Sequence, residues 1–119
     1  MSGLTGKRIL IVEDEPIVAM CLEDMLQGLG CVIVGPAARL SEGLALATDE
    51  QVDAAILDVN LGRERSYPIA DLLRVRSIPF VFATGYGRTD YEADPSAGLL
   101  EKPYTAEQVR SALAALMPG

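Results

Sequence analysis

Four short apolar runs in this chain each end on a residue able to handle a phosphoryl group. Ile9 to Val12 leads into Glu13 and Asp14, Ala54 to Leu57 into Asp58, Phe80 to Ala83 into Thr84, and Leu99 with Leu100 through Glu101 into Lys102. The runs are unbroken and rich in branched residues, as strands buried on both faces are, whereas the intervening segments repeat apolar residues every three or four positions, as helices do. Strands separated by helical crossovers run parallel in one sheet. The ends of such strands lie along one edge, where open α/β sheets bind their ligands.

Taken in order, Lys7 to Val12 forms the first strand and Pro16 opens a helix whose face carries Val18, Leu22, Met25 and Leu29, stopped by Gly28 and Gly30. Cys31 to Val34 is a second strand ended by Gly35 and Pro36, Ser41 caps a helix through Leu44 to Thr48, and Val52 to Leu57 is a third strand. A polar loop from Gly62 to Tyr67 precedes a helix opened by Pro68 and carrying Ile69, Leu72, Leu73 and Val75. Pro79 to Ala83 is the fourth strand, Thr89 to Asp94 a weak polar helix, and Ala97 to Leu100 a brief fifth strand. Thr105 to Gln108 spells a capping box for a last helix with Val109, Ala112, Leu113 and Leu116 on its inner face. Five strands alternating with five helices predict a flavodoxin-like, three-layer α/β/α domain with a five-stranded parallel sheet in the order 2-1-3-4-5. The 119 residues have room for one domain, residues 1–119 with a core over about 7–117, and none for a separate output domain.

Composition excludes several classes. A net charge of -7 spread along the chain argues against nucleic acid as a partner, because backbone phosphates need clustered Lys and Arg. No apolar run approaches the roughly 20 residues of a membrane span, and Met1 to Arg8 lacks a signal-peptide core, so a cytoplasmic location is expected. Cys21 and Cys31, in apolar stretches without metal-type spacing, are expected to be buried reduced thiols. The absence of histidine removes phosphohistidine carriers, Ser-His-Asp triads and histidine metal sites. Any phosphohistidine donor must therefore be another protein or domain.

The expected strand order puts Glu13, Asp14 and Asp58 side by side. Three carboxylates within ~4 to 6 Å repel by several kcal/mol at an effective dielectric near 20. A hard divalent cation offsets this, and Mg²⁺ takes a few carboxylates plus waters beside substrate phosphates. Lys102 suits phosphoryl oxygens, the Thr84 hydroxyl supplies a further donor, and Asp58 is the candidate nucleophile. Taken singly, each residue has a structural explanation: Asp58 as a turn residue, Glu13 and Asp14 as helix caps, Thr84 before Gly85 as turn chemistry, Lys102 before Pro103 as a solvated edge charge. Their coincidence at one sheet edge carries the inference.

Ile-Leu-Ile-Val-Glu-Asp-Glu-Pro (9 to 16), Ile-Leu-Asp-Val-Asn-Leu (56 to 61), Phe-Ala-Thr-Gly-Tyr-Gly (82 to 87) and Leu-Glu-Lys-Pro-Tyr (100 to 104) resemble the receiver domain of bacterial two-component response regulators. The third run, with Pro79 and Phe80 ahead of it, looks like the FAT-GUY group of single-domain response regulators associated with general stress signalling. The resemblance implies that Asp58 accepts a phosphoryl group from a histidine kinase or histidine phosphotransfer protein. It implies that Asp14 binds Mg²⁺ directly, Glu13 through water, and Asn60 through its backbone carbonyl. Thr84 would be the switch, Gly85 would leave access beside it, Lys102 would pair with phosphoryl oxygens, and the bond to Pro103 would be cis. Output would run through a downstream protein, onward phosphotransfer or a phosphorylation-dependent homodimer. The chain departs from the usual receiver pattern at Leu99, where an aromatic residue is common, and after Leu61, where a charged loop with Arg63, Glu64 and Arg65 replaces Met-Pro. Output is therefore expected to involve backbone rearrangement over Gly85 to Ser96. Tyr86 is open between screening the phosphoryl group and ordinary packing, and Tyr104 is assigned to packing. Two other classes are weighed: a phosphohydrolase of haloacid-dehalogenase type, whose Asp-x-Asp motif belongs on the first strand, and a flavin or nucleotide binder, which would need a Gly-rich phosphate loop.

Overall fold

The computed structural model describes residues 3–85 and 98–117. Chain order runs β1 (Arg8–Val12), α1 (Pro16–Gly28), β2 (Val32–Ala37), α2 (Leu40–Asp49), β3 (Ala54–Asp58), β4 (Asn60–Leu61), β5 (Glu64–Arg65), α3 (Tyr67–Val75), β6 (Phe80–Gly85), β7 (Gly98–Lys102) and α4 (Ala106–Leu116). Five strands form one parallel sheet in the order β2-β1-β3-β6-β7, the expected 2-1-3-4-5 arrangement.

Alternation along the strands divides the core between the two faces. Ile9, Ile11, Ala54, Ile56, Val81 and Ala83 pack with Leu22 and Leu26 of α1 and Val109 and Leu113 of α4. Leu10, Val12, Ala55, Leu57, Phe80 and Phe82 face Ala47 of α2 and Ile69, Ala70 and Leu73 of α3. Burial on both faces explains why the central strands read as continuous apolar runs. The rings of Phe80 and Phe82 meet edge to face at 5.4 Å, and Tyr67 does the same with Phe82 at 5.7 Å.

Several boundaries differ from expectation. β2 runs on through Gly35 and Pro36 to Ala37, because a register shift between Leu10 and Val12 lets the edge strand pair again at Ala37. A bulged edge strand has room for proline, which cannot donate to the ladder. Gly35, with φ +100°, is required there, since a Cβ would lie 2.9 Å from the Ala37 amide nitrogen. α2 begins at Leu40 with Arg39 at its N-cap, so Ser41 lies inside the first turn, and Glu42 accepts the Ala38 N–H instead. β3 starts two residues later than expected and includes Asp58, and β6 extends to Gly85 because Thr84 and Gly85 pair with Glu101 and Lys102. The expected polar loop after Leu61 contains a two-stranded hairpin, with Asn60 opposite Arg65 and Leu61 opposite Glu64. Val75, the last residue of α3, is exposed rather than part of the inner face.

Cys31 is buried as expected, but Cys21 is exposed. The buried face of α1 is Ala19, Leu22 and Leu26, and Cys21 lies one turn beyond the exposed Ile17 on another face. At α4 the Thr105 hydroxyl accepts the Gln108 N–H at 3.1 Å and the Gln108 side chain accepts the Thr105 N–H at 2.8 Å, the expected capping box. The expected helix at Thr89 to Asp94 and the residue Tyr86 lie outside the described residues. No helix among the described residues is long and apolar enough to cross a membrane.

Candidate functional site

Parallel pairing fixes where the strand tips meet. Val12 lies opposite Leu57 and Asp58 opposite Ala83, so the residues just past β1 adjoin the end of β3 at the sheet centre. Glu13 is held by its N–H to the Ala37 carbonyl at 2.9 Å, and its carboxylate accepts the Glu15 N–H at 3.0 Å. Glu13, Asp58 and Thr84 are buried, at 3%, 5% and 3% exposure. Lys102 reaches in from the end of β7, placing Nζ 2.6 Å from Glu13 Oε1, 2.9 Å from Asp58 Oδ2 and 3.6 Å from Glu15 Oε1. Oxygens of Glu13, Asp14, Glu15 and Asp58 all lie within 4.8 Å of one another. Three of these four carboxylates thus share one ammonium.

The electrostatics follow from that imbalance. Burial, and then the neighbouring Asp58, push the Glu13 carboxyl up to about 7 against the opposing pull of Lys102. Burial alone would lower the Lys102 ammonium, but its hydrogen bonds to Asp58 and Glu13 win and raise it. Beneath them the Tyr104 phenol is pushed up to about 12, first by burial and then by Glu13. The Thr84 hydroxyl is buried at the end of β6 without a hydrogen-bond partner among the described residues. A buried donor in that condition carries an unmet desolvation cost unless an acceptor reaches it.

The structure brings most of the expected site residues together. Asn60 opens the hairpin and donates its N–H to Asp58 Oδ1 at 3.2 Å, while the Gly62 N–H donates to Asp14 Oδ2 at 2.9 Å. Gly85 is paired with Lys102, and the Lys102–Pro103 bond is cis. Leu99 lies on β7 opposite Phe82, 43% exposed. Glu15 joins the carboxylate group although sequence reasoning did not single it out; the signal was the unbroken Glu-Asp-Glu run before Pro16. The hard oxygen donors and the excess of negative charge fit a divalent cation such as Mg²⁺, which suits carboxylate and carbonyl ligands.

Comparison with known proteins agrees with this geometry. The family model described as the response regulator receiver domain matches residues 9–114. The chain is 33% identical over 111 residues to the phyllosphere-induced regulator PhyR of Methylorubrum extorquens, an alignment covering 88% of this chain and 41% of PhyR. The solution structure of SdrG from Sphingomonas melonis Fr1 superposes with a TM-score of 0.85 at 49% identity, covering 98% of this chain and 99% of SdrG. The solution structure of the BeF3-activated conformation of SdrG from Pseudomonas melonis Fr1 superposes at 0.77 with 50% identity, covering 98% of this chain and 99% of that one.

Proposed function

The chain belongs to the response regulator receiver domain family, and on that footing we propose that it accepts a phosphoryl group on Asp58 from the phosphohistidine of a sensor kinase or phosphotransfer protein. The P–N bond of the donor breaks as a P–O bond forms to the Asp58 carboxylate, leaving an acyl phosphate here and a free imidazole on the donor. One observation carries the proposal: Asp58, at the end of the central strand, has one oxygen held by the Asn60 N–H and the other by Lys102 Nζ. That arrangement orients the nucleophile and places a cation beside the incoming phosphoryl oxygens. Phosphoryl transfer needs little more than positioning and charge neutralisation.

Asp14 and Asp58 would hold Mg²⁺ directly, Glu13 through a water and Asn60 through its carbonyl. The bound cation would neutralise charge on the phosphoryl oxygens. Thr84 would turn its buried hydroxyl, unpartnered among the described residues, to a phosphoryl oxygen, with Gly85 leaving room alongside, and Tyr86 would either screen the group from water or pack nearby. We place the protein in the FAT-GUY group on its Phe-Ala-Thr-Gly-Tyr-Gly run, acting in the cytoplasm through a protein partner or onward phosphotransfer. The phosphohydrolase and flavin-binding alternatives have no footing within this family.

Acetyl phosphate with Mg²⁺, followed by intact-mass measurement, tests the chemistry. The expected result is one added phosphoryl group on the unmutated protein and none on Asp58→Asn. Labelling of both, or of neither, overturns the proposal.

A further inference from the structure

Two carboxylates from different strands are tied to one small element. The Asn60 N–H bonds Asp58 of β3 and the Gly62 N–H bonds Asp14 beyond β1, and both amides belong to the hairpin of β4 and β5. That hairpin turns through Gly62 and Arg63, with Gly62 at φ +64°, the positive φ that the first position of a two-residue turn between right-twisted strands takes. A strand of two residues is too short to hold its own geometry. The Ser66 N–H bond to the Val59 carbonyl and the buried Leu61 side chain anchor the base of the hairpin, and a side-chain bond across its first pair braces the segment that carries both amides: Arg65 donates to the Asn60 amide oxygen.

We propose that Arg65 is a positioning residue for the metal site: by clamping Asn60 it fixes the hairpin so that two backbone amides hold Asp58 and Asp14 in the orientation in which they meet a divalent cation. The inference rests on the receiver function proposed above. It assigns an exposed arginine, outside the carboxylate group, a share in cation affinity. Partners that orient metal ligands are known to matter: their loss typically lowers metal affinity about 10- to 100-fold. The clamp also distinguishes position from charge. Arg65 is a cation on the hairpin whose amides hold Asp58 and Asp14, so if it acted through charge alone its removal would tighten Mg²⁺ binding. If it acts by holding the hairpin, its removal weakens binding.

The test uses the full chain, isotopically labelled, with Arg65→Met and Arg65→Lys. In the metal-free protein the Gly62 amide proton is expected to move upfield in Arg65→Met as its bond to Asp14 loosens, and to stay near its original position in Arg65→Lys, which keeps a donor for Asn60. Calorimetric titration with MgCl2 is expected to show affinity about tenfold weaker in Arg65→Met and close to the unmutated value in Arg65→Lys, with the metal-free melting temperature of both unchanged to within about 2 °C. Unchanged or tighter Mg²⁺ binding in Arg65→Met overturns the inference. So does a drop in affinity that comes with a lowered melting temperature and an unmoved Gly62 amide, which would make the role merely structural. Failure of the unmutated protein to bind Mg²⁺ would instead overturn the receiver reading itself.

Discussion

At the scale of single residues the site is a charge problem with one built-in counter-ion. Lys102 can satisfy at most part of the demand of Glu13, Asp58 and Glu15, which explains why burial and Asp58 together keep a proton on Glu13 far above the usual carboxylate range. The consequence for stability has a definite sign. The folded-state value of about 7 lies above the ordinary 4.5, so the folded chain holds the Glu13 proton more tightly than the unfolded one. That contribution is complete below about pH 4.5 and fades as pH rises through 7. Urea unfolding in chelator is therefore expected to show stability from this group falling between pH 5 and 8 by a few kcal/mol at most, with the slope largely removed in Glu13→Gln. A slope unchanged by that substitution would contradict the account. Taking one carboxylate away should relieve the crowding directly, so Asp58→Asn without metal is expected to melt about 4 °C higher, equivalent to roughly 1 kcal/mol. A lower melting temperature would mean that its ion pair with Lys102 outweighs the repulsion.

At the scale of elements, packing decides more than propensity does. Gly43 of α2 lies against α3, where a Cβ would come within 2.4 Å of Ile69 Cδ1, and Ile69 is fully buried. Gly43→Ala would gain up to about 1 kcal/mol of helix propensity but would overpack a filled core at a cost of about 1–3 kcal/mol. Net destabilisation is expected in a thermal melt. Gly28, the last residue of α1, has nothing within 4 Å of its Cβ position, so Gly28→Ala should stabilise by up to about 1 kcal/mol. If the two changes act alike, the contact between α2 and α3 is not as tight as drawn. The same contrast explains what the sequence could disclose. Strand order, both faces of the sheet and the Thr105 box were legible because burial on two faces and reciprocal capping each leave a run or a fixed spacing in the residues. The hairpin left none: five of its six residues are polar or glycine, and its pairing involves two residues on each side. Ser41 misled because any small hydroxyl residue ahead of a helical pattern looks like a cap. The Arg39 carbonyl had already captured the Gly43 N–H that such a cap would serve.

At the scale of the whole molecule, the opposite ends of the chain converge on one point. Glu13 and Lys102 are 2.6 Å apart, and the five-stranded sheet, with Glu13 just past the first strand and Lys102 at the end of the last, enforces that distance. A ligand that binds only this assembled edge must stabilise the entire fold, since the unfolded chain offers no comparable site. Mass action sets the size: at about ten times its dissociation constant, Mg²⁺ adds ~1.4 kcal/mol, or roughly 3 to 6 °C in melting temperature for a domain of this size. The net charge of -7 means that any salt relieves some repulsion, so NaCl at matched ionic strength supplies the baseline. The expected outcome is a larger upward shift with MgCl2 than with NaCl in the unmutated chain, and equal shifts in Asp14→Asn, which retains the fold but lacks a ligand. Equal shifts in both proteins would reduce the carboxylate edge to ordinary surface charge, because only a site that gathers charges from several strands can make a divalent cation count for more than its contribution to ionic strength.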